Sequence, residues 1–184
     1  QLGHIESGEY AVEVVDEIGN ATVQSATIAV TATGAIIRIY TIGDSTVSTY
    51  AATEYPRTGW GQVLQSFFAS ANVQVINKAQ SGTSSKSFYT SYWTAVKNIL
   101  QAGDFVFIQF GHNDSKNTTQ DDIDNRYTDP QTTYKQYLTS YINETKAKGA
   151  FPVLVTSMNR NWWKNGTITP LADYPPAMRE LATA

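Results

Sequence analysis

The run Ile36-Ile37-Arg38-Ile39-Tyr40-Thr41-Ile42 is rich in β-branched residues and breaks off at Gly43. A short stretch this apolar suits a strand buried on both faces, the kind found in parallel sheets. Parallel neighbours need long crossovers, usually helical, and the chain supplies them. Spacing predicts a helix over Trp60–Ala71 with Val63, Leu64, Phe67, Phe68 and Ala71 on one face, then a short strand over Val73–Ile76. A second helix, from about Ser87 to Leu100, turns Phe88, Tyr92, Val96, Ile99 and Leu100 inward, and Phe105–Phe110 is the next strand. Asp129-Pro130 opens a third helix, with Tyr134, Tyr137, Leu138, Tyr141 and Ile142 as core packing and Gly149 as its stop. Val153–Thr156 reads as a fourth strand and Pro175-Pro176 as the start of a last helix. Such alternation predicts an α/β domain: a parallel sheet with helices on both faces and its ligand site at the carboxyl ends of the strands.

The first residues follow another rhythm. Tyr10–Val15 alternates with period two, Glu17-Ile18-Gly19-Asn20 offers a turn, and Thr22–Ala32 is a second β-rich run. A hairpin alone is marginal in water. Residues 1–34 are therefore expected to be the tail of an N-terminal β-sandwich domain, with the boundary at Thr33-Gly34 and the α/β domain over 35–184. The abrupt start at Gln1-Leu2-Gly3 reads as the interior of a longer chain, and no leader pattern is visible. With 41% hydrophobic and 16% charged residues, disorder is excluded. A net charge of −3 leaves no basic footprint for nucleic acid or an anionic membrane, so neither is expected as a partner. No run approaches the roughly 18–20 apolar residues of a membrane span. The absence of cysteine removes disulfides, thiol nucleophiles and thiolate metal sites together.

Three strand ends carry polar residues suited to acyl transfer: Gly43-Asp44-Ser45-Thr46, Asn77-Lys78-Ala79-Gln80-Ser81-Gly82 and Gly111-His112-Asn113-Asp114. Such chemistry needs a nucleophile and donors aimed at the developing oxyanion. Ser45 offers a hydroxyl and its own N–H, Gly82 an N–H with no side chain in the way, and Asn113 a carboxamide. Asp44 and Asp114 read as structural groups that bond nearby N–H groups. His112 reads as a supporting histidine, since no second histidine or cysteine stands at ligand spacing, and no metal or organic cofactor is expected. Beyond the fourth strand, Arg160 is a candidate partner for a uronate carboxylate, and Trp162 with Trp163 a candidate sugar platform or simply a core closure. The first turn lacks the glycine spacing of a phosphate cradle, which ranks nucleotide binding last.

In order and wording, the three segments resemble the nucleophile, glycine and asparagine blocks of the SGNH (GDSL-type) hydrolase superfamily. Within it, Tyr55-Pro56-Arg57-Thr58-Gly59-Trp60-Gly61, Pro152–Thr156 and Asp173–Arg179 look most like the rhamnogalacturonan acetylesterase branch of carbohydrate esterases. The likeness spans about residues 36–184. It implies a flavodoxin-like three-layer fold, Ser45 as catalytic nucleophile, and Ser45 N–H, Gly82 N–H and the Asn113 amide as the oxyanion hole. It further implies a secreted enzyme that removes acetyl groups from pectic polysaccharide. The family takes its base from an Asp-x-x-His block near the C-terminus. Only His4 and His112 occur here, so the chain is expected to be C-terminally truncated before that block and nearly inactive alone. Rival readings are another SGNH esterase, lipase or thioesterase, and a non-catalytic carbohydrate-binding remnant.

Overall fold

A computed structural model describes residues 8–12, 26–30, 36–68, 72–161, 163–168, 171 and 173–183. Strands β1 (Gly8–Val12) and β2 (Ala26–Val30) pair antiparallel as a two-stranded sheet of their own, with Gly8 opposite Val30 and Val12 opposite Ala26. That is the hairpin pairing expected of this stretch. The predicted turn at 17–20, the boundary at Thr33-Gly34 and the helix position Ala71 lie outside the described residues.

The α/β part is built on β3 (Ile37–Gly43), whose residues 39–42 are all buried, as a central parallel strand requires. After it come α1 (Trp60–Val63), β4 (Val73–Asn77), α2 (Ser85–Phe88), α3 (Thr94–Ile99) and β5 (Phe105–Gln109). Next are α4 (Gln120–Asn125), α5 (Thr133–Ala147), β6 (Phe151–Leu154), a two-residue ribbon of β7 (Trp163–Lys164) and β8 (Thr167–Ile168), and α6 (Tyr174–Thr183). The sheet order is β4-β3-β5-β6, all parallel. The chain therefore steps to one side of β3 and then returns to the other. The carboxyl end of β3, Gly43, is the point where strand order reverses, and in open α/β sheets ligands bind there.

Both faces of the sheet carry helix, unequally. Tyr40 and Ile42 of β3 and Val106 and Ile108 of β5 share one face, with Phe88, Trp93, Val96, Tyr134, Leu138, Tyr141 and Met178 packed over it. Tyr141 is central, edge-on to Trp93 at 4.9 Å and stacked on Phe110 at 5.7 Å. Buried tyrosines need partners for their hydroxyls, and these find them in loop backbone. Tyr134 donates to Phe110 O (2.8 Å), Tyr141 to Ser85 O (2.8 Å), and Tyr174 to both Asp114 O (2.8 Å) and Thr128 O (2.6 Å). The tyrosines of α5 are core packing, as expected, and they also brace the strand-end loops from below.

Two helical predictions need correction. The helix from Ser87 buries Phe88, Val96 and Leu100 as expected, but Tyr89–Trp93 forms a π-turn between α2 and α3. That extra residue carries Trp93 inward (1% exposed) and leaves Tyr92 and Ile99 exposed. The first helix is a single turn followed by a 3-10 turn over Leu64–Phe67, and its predicted apolar face is not buried, since Val63 and Phe67 are exposed. Its inward side is Gly61, whose missing side chain lets the helix close on β3 and β4. A Cβ there would stand 2.6 Å from Val47 O and 2.9 Å from both the Asn77 amide and the Thr41 hydroxyl. Among the described residues no helix is long and apolar enough to cross a membrane.

Candidate active site

The loop after β3 is wound around Asp44, which is 1% exposed. Its Oδ1 accepts from the backbone N–H and the hydroxyl of Thr46, both at 2.8 Å, and its backbone carbonyl accepts from Val47 N, Ser48 N and the Ser48 hydroxyl. Thr46 is tied onward to β5. Gln109 Nε2 donates to Thr46 Oγ1 (2.6 Å), while Gln109 Oε1 accepts from the Trp60 indole (2.7 Å). Ser45 stands at the crest, half-buried, and its hydroxyl makes no hydrogen bond among the described residues. Its carbonyl accepts from Tyr50 OH at 2.7 Å, and Gln62 holds Tyr50 by its backbone.

Thr83 joins the three strand-end segments. Its hydroxyl donates to Gln80 O (2.8 Å) and Gly43 O (3.3 Å), and Gln80 N–H reaches the same Gly43 carbonyl at 2.9 Å. Its own carbonyl accepts the Asn113 amide at 2.8 Å, and Asn113 is buried. Gly82 sits between Ser81 and Thr83 with φ +85°, and a Cβ there would meet nothing within 4 Å. The turn therefore favours glycine for its backbone, and the space where a side chain would begin is open. The structure brings together the segments of all three expected residues: Ser45 two positions beyond Gly43, Gly82 next to Thr83, and Asn113 bonded to it.

Beneath that loop lies Asp114, fully buried. Its carboxylate accepts from Ser85 N–H at 3.0 and 3.2 Å, from the Ser85 hydroxyl, and from the Thr128 hydroxyl at 2.8 Å. Burial raises its pKa to about 6; the bonds from Ser85 and Thr128 oppose that rise and the nearby Asp44 adds to it. Asp44 Oδ2 is itself buried without a hydrogen-bond partner among the described residues. Both aspartates thus hold nearby N–H and O–H groups, as the sequence suggests.

The remaining expected residues lie elsewhere. His112 Nε2 is 2.7 Å from Met158 O, which ties it to the loop after β6. Arg160, anticipated as an open partner for a uronate, is turned inward. Its Nη2 donates to His112 O and lies 3.3 Å from Ser115 Oγ, because the β6 and β5 loops need a bridge there. Trp162 lies outside the described residues, while Trp163 is 60% exposed and donates to Asn161 Oδ1. Among the described residues no group of three or more His, Asp or Glu side chains could hold a metal ion.

Beside the loop after β3 opens a polar cleft of about 400 Å³, lined among others by Thr49, Tyr50, Glu54, Arg57, Gln80 and Ser81. The Arg57 guanidinium lies 4.2 Å above the centre of the Tyr50 ring. Neither Tyr50, Thr83 nor Arg57 stood out as a site residue in the sequence. Arg57 entered only as part of the Tyr55–Gly61 stretch that carries the family resemblance.

Comparison with known proteins places this arrangement. The GDSL-like Lipase/Acylhydrolase family matches residues 39–182. A probable rhamnogalacturonan acetylesterase of Bacillus subtilis, YesY, is 43% identical over 147 residues, covering 78% of this chain and 64% of that protein. The rhamnogalacturonan acetylesterase RhgT of the same organism is 41% identical over 149 residues, covering 79% and 60%. The chain thus spans less than two thirds of the length of either relative. The crystal structure of Bacillus subtilis YxiM superposes with a TM-score of 0.67 at 25% identity, covering 90% of this chain and 48% of the other.

Proposed function

The chain belongs to the GDSL-like lipase/acylhydrolase family, and on that premise we propose that it carries the nucleophile and oxyanion hole of a serine acetylesterase acting on an acetylated pectic polysaccharide. Ser45 Oγ attacks the acetyl carbonyl, and the new C–O bond leaves a tetrahedral oxyanion. Ser45 N–H, Gly82 N–H and the Asn113 amide donate to that oxygen. The sugar hydroxyl then departs with a proton, and water removes the acetyl group from Ser45 in a second round. The proton of Ser45 passes to a general base, a role that His112, tied to Met158 O, does not fill.

The observation that carries this reading is the lacing of the three strand-end segments through Thr83, with the Ser45 hydroxyl unengaged among the described residues and open space where a Gly82 Cβ would stand. The polar lining of the neighbouring cleft, with Thr49, Asn77, Gln80 and Ser81, favours a hydroxylated substrate over a long acyl chain. The sequence relationship to rhamnogalacturonan acetylesterases supports the same substrate class. Acetate release from acetylated rhamnogalacturonan by the full-length protein tests it. Ser45→Ala is expected to reduce turnover by at least ~10³-fold, the scale on which removing a serine nucleophile acts. Undiminished release by that variant removes Ser45 from the mechanism.

A further inference from the structure

We propose that Arg57 is a carboxylate-reading residue of the cleft, and that the sugar it recognises is a uronate adjoining the acetylated one. The inference rests on the esterase reading, since it takes the cleft beside Ser45 as the path of the polysaccharide. Among the described residues lining that cleft, Arg57 is the only cation. Its guanidinium Cζ lies over the Tyr50 ring, 4.2 Å from the ring centre. The Tyr50 hydroxyl is bonded to the Ser45 carbonyl at 2.7 Å, and Gln62 fixes the Tyr50 backbone from both N–H and C=O. A positive charge is thereby fixed one aromatic ring away from the proposed nucleophile.

A guanidinium over a ring face still has N–H groups to donate to an acceptor. Only Nη1 is engaged, by Glu54 Oε1 at 3.3 Å, in a pair whose side chains are 55% and 44% exposed. An exposed pair of that kind is weak. The other guanidinium N–H groups of Arg57 make no hydrogen bond among the described residues, and a planar fork of that sort matches a carboxylate in bidentate fashion. Gln80 and Ser81, which also line the cleft, carry side-chain polar groups with no hydrogen bond among the described residues, suited to sugar hydroxyls. Glu54 sets the charge selectivity. It shares the cation and repels further negative charge, so the cleft takes one carboxylate and not a densely anionic run.

The test uses a galacturonate–rhamnose disaccharide and its methyl ester, which has the same shape without the charge, with binding read by NMR titration of the full chain. The wild type is expected to bind the acid about fivefold more tightly than the ester at low ionic strength, a preference that shrinks in salt. Arg57→Gln should make the two probes bind alike, and Arg57→Lys should keep part of the preference, with a charge but no fork. Glu54→Gln should tighten binding of the acid and leave the ester unchanged, a gain that a misfolded variant cannot imitate. Equal binding of acid and ester by the wild type, or a preference that survives Arg57→Gln, overturns the assignment. Binding is read without turnover, which keeps the two proposals separable. Acetate release with no charge preference sinks Arg57 alone, whereas charge preference in a full-length protein that releases no acetate sinks the esterase reading.

Discussion

Replacing Asp114 with asparagine should change how the stability of the fold depends on pH, in a direction opposite to that of an ion-paired carboxylate. Asp114 binds its proton more tightly in the folded chain than in the unfolded one, because burial raises the pKa from 3.8 to about 6. Stabilisation from the protonated form is complete below the unfolded value and is lost as pH rises through the folded one. A change of that size is worth about 3 kcal/mol, at roughly 1.36 kcal/mol for each tenfold change in proton affinity. The wild type should therefore lose about 3 kcal/mol between roughly pH 4 and pH 7 through this one group. Asparagine stays neutral throughout. Three of the four bonds to the carboxylate fall on Oδ1, so its carbonyl oxygen can take them and forgo only the 3.2 Å leg from Ser85 N–H. Urea unfolding of both proteins across that pH range is the assay. The stability of Asp114→Asn relative to wild type should climb by about 3 kcal/mol from the acid to the neutral end. A difference that stays constant with pH would show that burial does not hold the proton on Asp114, and would refute the reasoning.

Two further substitutions probe how the core and the loops are joined. Tyr141→Phe removes the hydroxyl that supports Ser85 O from below, and should cost about 1 kcal/mol in urea unfolding with no change in ring packing. Thr83→Val keeps the side-chain shape and deletes the bonds to Gln80 O and Gly43 O. It should cost about 1–2 kcal/mol and lower acetate release by the full-length protein at temperatures where the variant remains folded.

Much of the framework was legible in the residues because it rests on local chemistry. The β-branched run ending at Gly43 marks the central strand, and the polar endings of three such runs mark the rim where Ser45, Gly82 and Asn113 lie. What escaped is set by contacts between distant parts of the chain. The π-turn at Tyr89–Trp93 shifts the helix phase locally, so period 3.6 chose Tyr92 and Ile99 where the fold buries Trp93. In the first helix the apolar residues drew attention, yet Gly61 is the residue pressed against Val47 O and Asn77. Arg160 and Arg57 look alike as isolated arginines. Only the fold shows one turned toward His112 O and the other laid over Tyr50 beside an open cleft. Thr83 gave no sign in the sequence, because its role comes from meeting Gly43 and Asn113, which are 40 and 30 residues away.

Reaction of the full-length protein with a p-nitrophenyl phosphonate, followed by crystallography of the adduct, examines the proposed chemistry at a single phosphorus atom. The phosphorus should be bonded to Ser45 Oγ, with its free oxygen about 3 Å from Gly82 N and Asn113 Nδ2, the distance of an N–H···O bond. A phosphonate attached to another residue, or one on Ser45 whose oxygen points to solvent, would contradict the proposed oxyanion hole.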